Sequence, residues 1–191
     1  TRSGIFVERS SNTEIINTVL QSDNQRCNTG VFINGYWGNS ENLTLKNVTV
    51  RDFGFGIFLY TGIGGPPPIS GVVIEDVHVS GTYQDGITVY SPLRVTIRNS
   101  VIENVGGYGI DVQTAGRSIP NSNFSIINTT IENAGRYGIY FWGELGGVLI
   151  DNVVIRNVTE YGIYDREVAL GLGNNTIRNT IIENVGAGSG N

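Results

Sequence analysis

Several residue types that mark common binding functions are scarce in this chain. Lysine occurs once among 191 residues, at Lys46, and no run of basic residues is present. Binding to a phosphate backbone requires clustered Lys and Arg, and the formal net charge is −5, so we expect no nucleic-acid partner. Cysteine also occurs once, at Cys27, which excludes a disulfide within the chain.

Signals for membranes, metals and cofactors are missing as well. No stretch approaches the ~20 apolar residues of a membrane-spanning helix, so we expect no membrane span. The single histidine, His78, falls at an ordinary outward strand position, and no spacing of Asp or His indicates a metal site. Nothing implies a cofactor, and we expect none. With 15% charged and 39% hydrophobic residues, the composition favours a folded, β-rich chain over a disordered one.

A short phrase recurs along the chain: a glycine followed by Ile or Val, which opens an alternating strand. Successive copies are 23 to 30 residues apart, with a mean near 26. A regular period with a varying gap indicates a repeat architecture whose loops differ in length. The glycines of the phrase are Gly4, Gly30, Gly56, Gly86, Gly109, Gly138 and Gly162.

Two further short strands precede each copy of the phrase except the first. They alternate with period 2 and are separated by Asn or Asp, as in residues 95–104 and 124–133. Similar apolar residues recur at the inward positions, for example Ile97, Ile126 and Ile150. The sequence therefore predicts an all-β parallel β-helix of about seven coils of about 26 residues, with three short strands per coil. We expect one domain over residues 1–191, with incomplete coils at both ends.

An Asn or Asp separates the first strand from the second in every coil. Asn tolerates left-handed backbone angles, and its side chain bonds to neighbouring backbone or to a stacked amide. We interpret this column as a structural ladder rather than a ligand site. Its members are Asn17, Asn47, Asp76, Asn99, Asn128, Asn152 and Asn179.

With these repeats the chain resembles the right-handed parallel β-helix superfamily of pectate lyases, polygalacturonases and alginate epimerases. The resemblance covers nearly the whole chain and implies a right-handed coil, but one fold hosts many activities. The Asp-Asp pair and Gly-His-Gly turn of polygalacturonase-like enzymes are absent, as is the Asp-Pro-His-Glu run of alginate epimerases. We therefore recognise no catalytic cluster, and Asp111 is the best single candidate.

Aromatic residues recur at outward positions of the third strand. Stacked aromatics of this kind bind sugar rings, contact a protein partner or lie under the chain's own loops, and the sequence leaves all three open. The members of this aromatic face are Phe6, Phe32, Phe58, Tyr140 and Tyr164.

Six Asn-x-Ser/Thr sequences are present. Those at Asn47, Asn128 and Asn157 coincide with turn positions of the repeat, so we expect them to be buried and unmodified. Those at Asn42, Asn123 and Asn174 are expected in or beside inter-coil loops, which makes them the candidates for N-glycosylation.

The two ends of the repeat are out of phase. The chain opens on a third strand and closes on first and second strands, so one molecule could complete the next by a heterologous contact that generates a filament. The leading hypothesis is an extracellular or cell-surface structural protein that forms a head-to-tail homopolymer. The alternatives are a polysaccharide-active enzyme (lyase, epimerase or hydrolase) and a glycan-binding adhesion module; the chain could also be part of a longer β-helix. The assembly ends comprise Gly4, Ile5, Val7, Ile177 and Ile182.

Overall fold

The computed structural model describes residues 2–23, 28–36, 38–61, 69–166 and 169–186, and Cys27 lies outside these ranges. Throughout the described residues the chain coils through short strands, each paired in parallel with its counterpart one coil away. The prediction of an all-β parallel β-helix is confirmed, with a coil count close to seven. The extent of the domain stays a prediction.

The third strands form a seven-stranded sheet, and neighbouring repeats keep the register that the sequence phrase predicts. Phe6 pairs with Phe32, and Phe32 with Phe58. In sheet order, the strands are β1 (Arg2–Glu8), β3 (Asn28–Asn34), β5 (Phe55–Tyr60), β8 (Ile87–Tyr90), β11 (Ile110–Ile119), β14 (Tyr137–Leu145) and β17 (Tyr161–Arg166).

The first and second strands form a twelve-stranded sheet, because two long strands near the beginning run through both positions of their coils. These are β2 (Glu14–Gln21) and β4 (Ser40–Arg51). A 3₁₀ turn at Ala169–Leu172 is the one helical element of the described residues. The remaining strands are β6 (Ile69–Glu75), β7 (His78–Ser80), β9 (Val95–Arg98), β10 (Val101–Val105), β12 (Ser125–Ile127), β13 (Thr130–Ala134), β15 (Leu149–Asp151), β16 (Val154–Val158), β18 (Thr176–Arg178) and β19 (Ile181–Val185).

The core is a continuous column of aliphatic side chains inside the coil. Ile97, Ile126 and Ile150 are fully buried in the first strands, and Ile102, Ile131 and Ile155 in the second. Stacking identical β-branched side chains removes a continuous apolar surface from water, which stabilises the fold by roughly 25 cal/mol per Å² of apolar area buried.

The repeated glycine stands where the second strand turns into the third. A Cβ on Gly109 would lie 2.6 Å from the carbonyl oxygen of Gly138 and would overlap Cγ2 of Ile131. The same clash with the next glycine and with an inward methyl recurs at Gly30, Gly56 and Gly86. The glycine of the Gly-Ile phrase therefore occupies a corner of the coil that has no room for a side chain.

The asparagine column lies at left-handed corners between the first and second strands. All seven members have φ between 47° and 53°, and several bond to the coil before: the amide of Asn47 donates to Asn17 over 2.7 Å, and that of Asn152 to Asn128 over 2.9 Å. The expectation that Asn47, Asn128 and Asn157 are buried is wrong, since all three are exposed. A left-handed corner points its side chain away from the core.

Another left-handed column lies at the start of the first-strand position of each coil. It contains all three glycosylation candidates: Asn42 (φ 54°), Asn123 (φ 46°) and Asn174 (φ 55°), each with an exposed side chain. Asn42 lies within β4 rather than in a loop, and its amide donates to Asn12 over 3.2 Å. Glycosylation stays a prediction, and a corner role accounts for these residues without it.

The apolar side chains of the outermost coils are less buried than those of the central coils. At the β18–β19 edge, Ile177 is 48% and Ile182 46% exposed, whereas at the β1 edge Val7 is buried and Ile5 is partly buried. Head-to-tail assembly through these residues and Gly4 stays a prediction. No helix in the described ranges is long and apolar enough to cross a membrane.

Candidate active site

The outward face of the seven-stranded sheet changes character along the stack. Phe6, Phe32 and Phe58 lie on successive strands with ring centroids 5.5 Å apart. The next two positions of the same column are polar, Thr88 and Asp111, which pair in register on β8 and β11. The column then returns to aromatic residues. A polar centre is thus flanked on both sides by stacked rings.

Asp111 is an almost fully buried carboxyl, 3% exposed. The side-chain amide of Gln113 donates to its Oδ2 over 2.7 Å, whereas its buried Oδ1 has no hydrogen-bond partner. Buried polar oxygens are nearly always bonded, so an orphaned one requires an explanation. The unpartnered Oδ1 therefore makes Asp111 the first candidate for a functional role on this face.

A second carboxyl, Asp85, lies one coil earlier and half-buried. Its Oδ1 accepts a hydrogen bond of 2.9 Å from the backbone N–H of Tyr108, and its Oδ2 accepts one of 3.3 Å from the hydroxyl of Thr88. Thr88 thus lies beside Asp111 in the sheet while its side chain holds Asp85. We call Asp85 and Asp111 the acid pair.

The two members of the acid pair have different protonation chemistry. Burial, reinforced by the charge of Asp85, raises the pKa of Asp111 to about 8. Burial also raises the pKa of Asp85, but the bonds from Tyr108 and Thr88 and the positive charge of Arg136 oppose that rise. At neutral pH the raised pKa of Asp111 favours its neutral form, whereas hydrogen bonds and the charge of Arg136 stabilise the ionised form of Asp85.

A tyrosine cluster covers the later coils. Tyr140 stacks on Tyr108 at 4.8 Å, and Tyr137 on Tyr108 at 5.2 Å. Burial raises the pKa of Tyr90, on the other side of the acid pair, to about 12, helped by Asp111 and Asp85. The cluster consists of Tyr108, Tyr137, Tyr140, Tyr161 and Tyr164.

Arg136 contacts two tyrosines at the edge of this cluster. Its guanidinium lies 5.3 Å from the ring centroid of Tyr108 and 5.2 Å from that of Tyr137, and it donates to the Tyr108 hydroxyl over 2.9 Å. It also donates to Glu160 over 3.1 Å, and hydrogen bonds from Arg136 and Tyr137 hold the pKa of Glu160 below its usual value. This cation is therefore already partnered by the protein.

The structure brings together part of what the sequence suggested. Asp111, Tyr140 and Tyr164 lie on one face, and the three phenylalanines lie further along it. Sequence reasoning missed Asp85, Tyr108 and Gln113. A signal for the first two existed: the residue directly before each repeated glycine forms its own outward column, which reads Ser3, Thr29, Phe55, Asp85, Tyr108, Tyr137 and Tyr161.

His78 is not part of this face. It lies on β7 between Thr49 and Val101, as its place in the repeat predicts, and its Nε2 is 2.9 Å from Oε1 of Glu103. Over the described part of the chain, no group of three or more His, Cys, Asp or Glu could hold a metal ion.

Comparison with solved structures finds similar stacks in enzymes. The catalytic domain of a GH87 alpha-1,3-glucanase, solved with tetrasaccharides, has a TM-score of 0.60 and 17% identity over 96% of this chain and 45% of that one. The Agl-KA catalytic domain has a TM-score of 0.48 and 12% identity over 92% of this chain and 44% of that one. This chain thus spans less than half of either structure, and the likeness to the glucanase domain shows the fold alone.

A comparison with curated proteins finds no match. The profile of the family described as "Right handed beta helix region" matches residues 1–119 and again residues 68–190. Together these segments span nearly the whole repeat, in agreement with the parallel sheets and the stacked core. The chain belongs to the right-handed β-helix family.

Proposed function

We propose that this chain is part of an enzyme that hydrolyses glycosidic bonds in a polysaccharide, with the acid pair as its catalytic groups. The observation that carries the proposal is the acid pair on an aromatic face: Asp111 is a buried carboxyl with an unpartnered Oδ1, and Asp85 is doubly hydrogen-bonded beside it. Glycosidases use two carboxyl groups, one protonated and one ionised, whose environments separate their pKa values.

The two carboxyl groups have different roles in the hydrolysis. Asp111 donates its Oδ1 proton to the glycosidic oxygen as the bond from that oxygen to the anomeric carbon breaks. Asp85, ionised, accepts a proton from the water that attacks the anomeric carbon, or attacks that carbon itself before water replaces it. Because Asp111 is 3% exposed, binding must move a neighbouring ring, such as Tyr90 or Tyr140, to admit the glycosidic oxygen.

The phenols near the acid pair are unsuited to act as the base of an elimination or an epimerisation. Those reactions need a base that abstracts a sugar proton, and a tyrosine serves only when its pKa is lowered. Here the pKa values of Tyr90, Tyr108 and Tyr137 are all raised, and burial is the largest cause in each. The phenols near the acid pair are therefore neutral hydrogen-bonding and stacking groups.

A polysaccharide substrate is supported by the flanking aromatic rings, which suit the apolar faces of sugar rings. The solved neighbour acts on an alpha-1,3-glucan, and a glucan is accordingly the first substrate to test. We also propose that the protein acts outside the cell or at its surface, where such polymers occur. A non-catalytic glycan-binding module is the second candidate, since the aromatic face alone would serve it. A filament-forming role receives no support from the comparisons.

The test is release of reducing ends from a panel of glucans and other polysaccharides, with Asp111→Asn and Asp85→Asn. Each variant should lose activity by about 10²-fold or more while its thermal unfolding stays cooperative. Glu103→Gln, which changes a carboxylate on the other sheet, is the matched control and should keep full activity. Equal activity in all four proteins would refute the acid pair. Binding without turnover in the parent protein would favour the glycan-binding module.

A further inference from the structure

A cavity of about 330 Å³ opens on the outward face two to three strands before the acid pair. Phe32, Asn34, Tyr36 and Tyr60 line it, and we call it the Tyr36 pocket. Its volume falls at the lower end of the ~300–1,000 Å³ range of small-molecule sites. The rings of Tyr36 and Tyr60 are nearly parallel, with centroids 6.3 Å apart, and Tyr36 is 53% exposed.

One polar group is fixed in this aromatic setting. Asn34 is buried, its amide donates to Glu8 over 2.7 Å, and its oxygen accepts the backbone N–H of Tyr36 over 3.1 Å. These two bonds hold both the amide and the Tyr36 loop in place. An aromatic wall with one held polar group is the usual composition of a site that stacks and orients a small ring.

The Tyr36 pocket is continuous with the acid pair. Asn34 pairs with Tyr60, the rings of Tyr60 and Tyr90 are 5.8 Å apart, and Tyr90 pairs with Gln113, which holds Asp111. The column crosses β3, β5, β8 and β11, so Asn34 is about 14 Å from Asp111 at about 4.8 Å per strand, and Tyr60 is one strand closer. A short oligosaccharide laid along the stack spans that distance.

The carboxylate that bonds to the pocket's polar group disfavours one class of glycan. The four lining residues are uncharged, and the carboxylate that bonds to Asn34 is Glu8. This carboxylate repels an anionic sugar, whereas a neutral sugar meets no such repulsion.

We propose that the Tyr36 pocket is a distal binding subsite for sugar rings of an uncharged polysaccharide whose chain runs along the coil stack towards the acid pair. The inference rests on the proposed function only for the class of ligand. The subsite holds the polymer and does not take part in bond breaking. Its contribution should therefore appear in the affinity for long chains.

The test measures binding in the Asp111→Asn background, so that turnover does not consume the ligand. The probes are dextran, soluble starch and laminarin as neutral polymers and polygalacturonate as an anionic one. Tyr36→Ala and Tyr60→Ala should each weaken binding of at least one neutral polymer roughly tenfold. Tyr83→Ala, at an exposed tyrosine that lines a different cavity with Gly81 and Asn104, is the matched control and should bind as the parent does.

Each outcome bears on the proposal. Equal affinity of Tyr36→Ala and parent, tighter binding of polygalacturonate than of every neutral polymer, or no binding of any probe would overturn it. Light scattering checks a different occupant: a parent dimer that Tyr36→Ala dissociates would place a second copy in the pocket and overturn it too. If neutral polymers bind through the pocket but the wild-type protein hydrolyses none of them, the proposed function fails and the subsite stands.

Discussion

The amide of Gln113 donates a 2.7 Å hydrogen bond to Oδ2 of Asp111. Because Oδ2 is an acceptor in this contact, a neutral Asp111 carries its proton on Oδ1, the oxygen that lacks a partner. Gln113 therefore selects which oxygen can act as the proton donor. It also opposes the pKa rise that burial causes, because its hydrogen bond stabilises the ionised form.

Removing this donor should change the pH dependence of activity. In Gln113→Met the pKa of Asp111 should rise above its value of about 8, so the alkaline limb of the pH–rate profile should move to higher pH. Carboxyl chemical shifts of labelled Asp give the same shift without relying on turnover. The control is Gln21→Met, which removes a glutamine bonded to Asp52 on the other sheet. An unmoved alkaline limb would contradict the role given to Gln113.

Asp111 should make the protein less stable as pH rises. Its pKa is about 8 when folded, against an ordinary value of 3.8, so between these limits the folded state keeps a proton that the unfolded state releases. The free energy of unfolding then falls with rising pH across this window. In Asp111→Asn the free energy of unfolding should decrease less with pH, and this variant should be more stable than the wild-type protein at pH 9. Urea unfolding at pH 5, 7 and 9 measures the free energy of unfolding, with Asp52→Asn, at a partly buried carboxylate far from the acid pair in the sequence, as the control.

The repeated glycine should tolerate no side chain. Gly109→Ala should destabilise the fold by about 3 kcal/mol, because the added Cβ overlaps Cγ2 of Ile131 and crowds the carbonyl of Gly138. Gly116→Ala should lose only about 1 kcal/mol, since its surroundings are open and only its positive φ of 77° opposes alanine. Denaturant unfolding compares the two. The reverse order would show that the corner relaxes easily.

Two substitutions at Asn128 should separate the backbone contribution of the asparagine ladder to stability from its side-chain contribution. Asn128 has φ 47°, donates to Asn99 over 3.2 Å and accepts from Asn152 over 2.9 Å. Asn128→Gly keeps the corner and loses these bonds, whereas Asn128→Ala also strains the corner by about 1 kcal/mol. Alanine should therefore give the lower melting temperature of the two. Equal melting temperatures would mean that the left-handed angle is not the reason for asparagine.

Much of the fold could be predicted because a β-helix repeats its local rules. The phrase Gly109-Ile110 resembles Gly138-Ile139, and each position faces its own counterpart one coil away. Local pattern and tertiary contact therefore carry the same information. The error on the exposure of Asn47 and Asn128 arose because the pattern shows which residue occupies a corner and not which way that corner projects its side chain.

The sequence by itself determined the coil period, the three strands, the stacked core and the left-handed corners, since these follow from spacing and residue type. Only the tertiary structure decided that Asp85 approaches Asp111, because the two lie at different positions of the repeat and meet across neighbouring coils. Burial in the folded chain then removes water from that carboxyl, and this desolvation gives an ordinary aspartate a pKa suited to donating a proton.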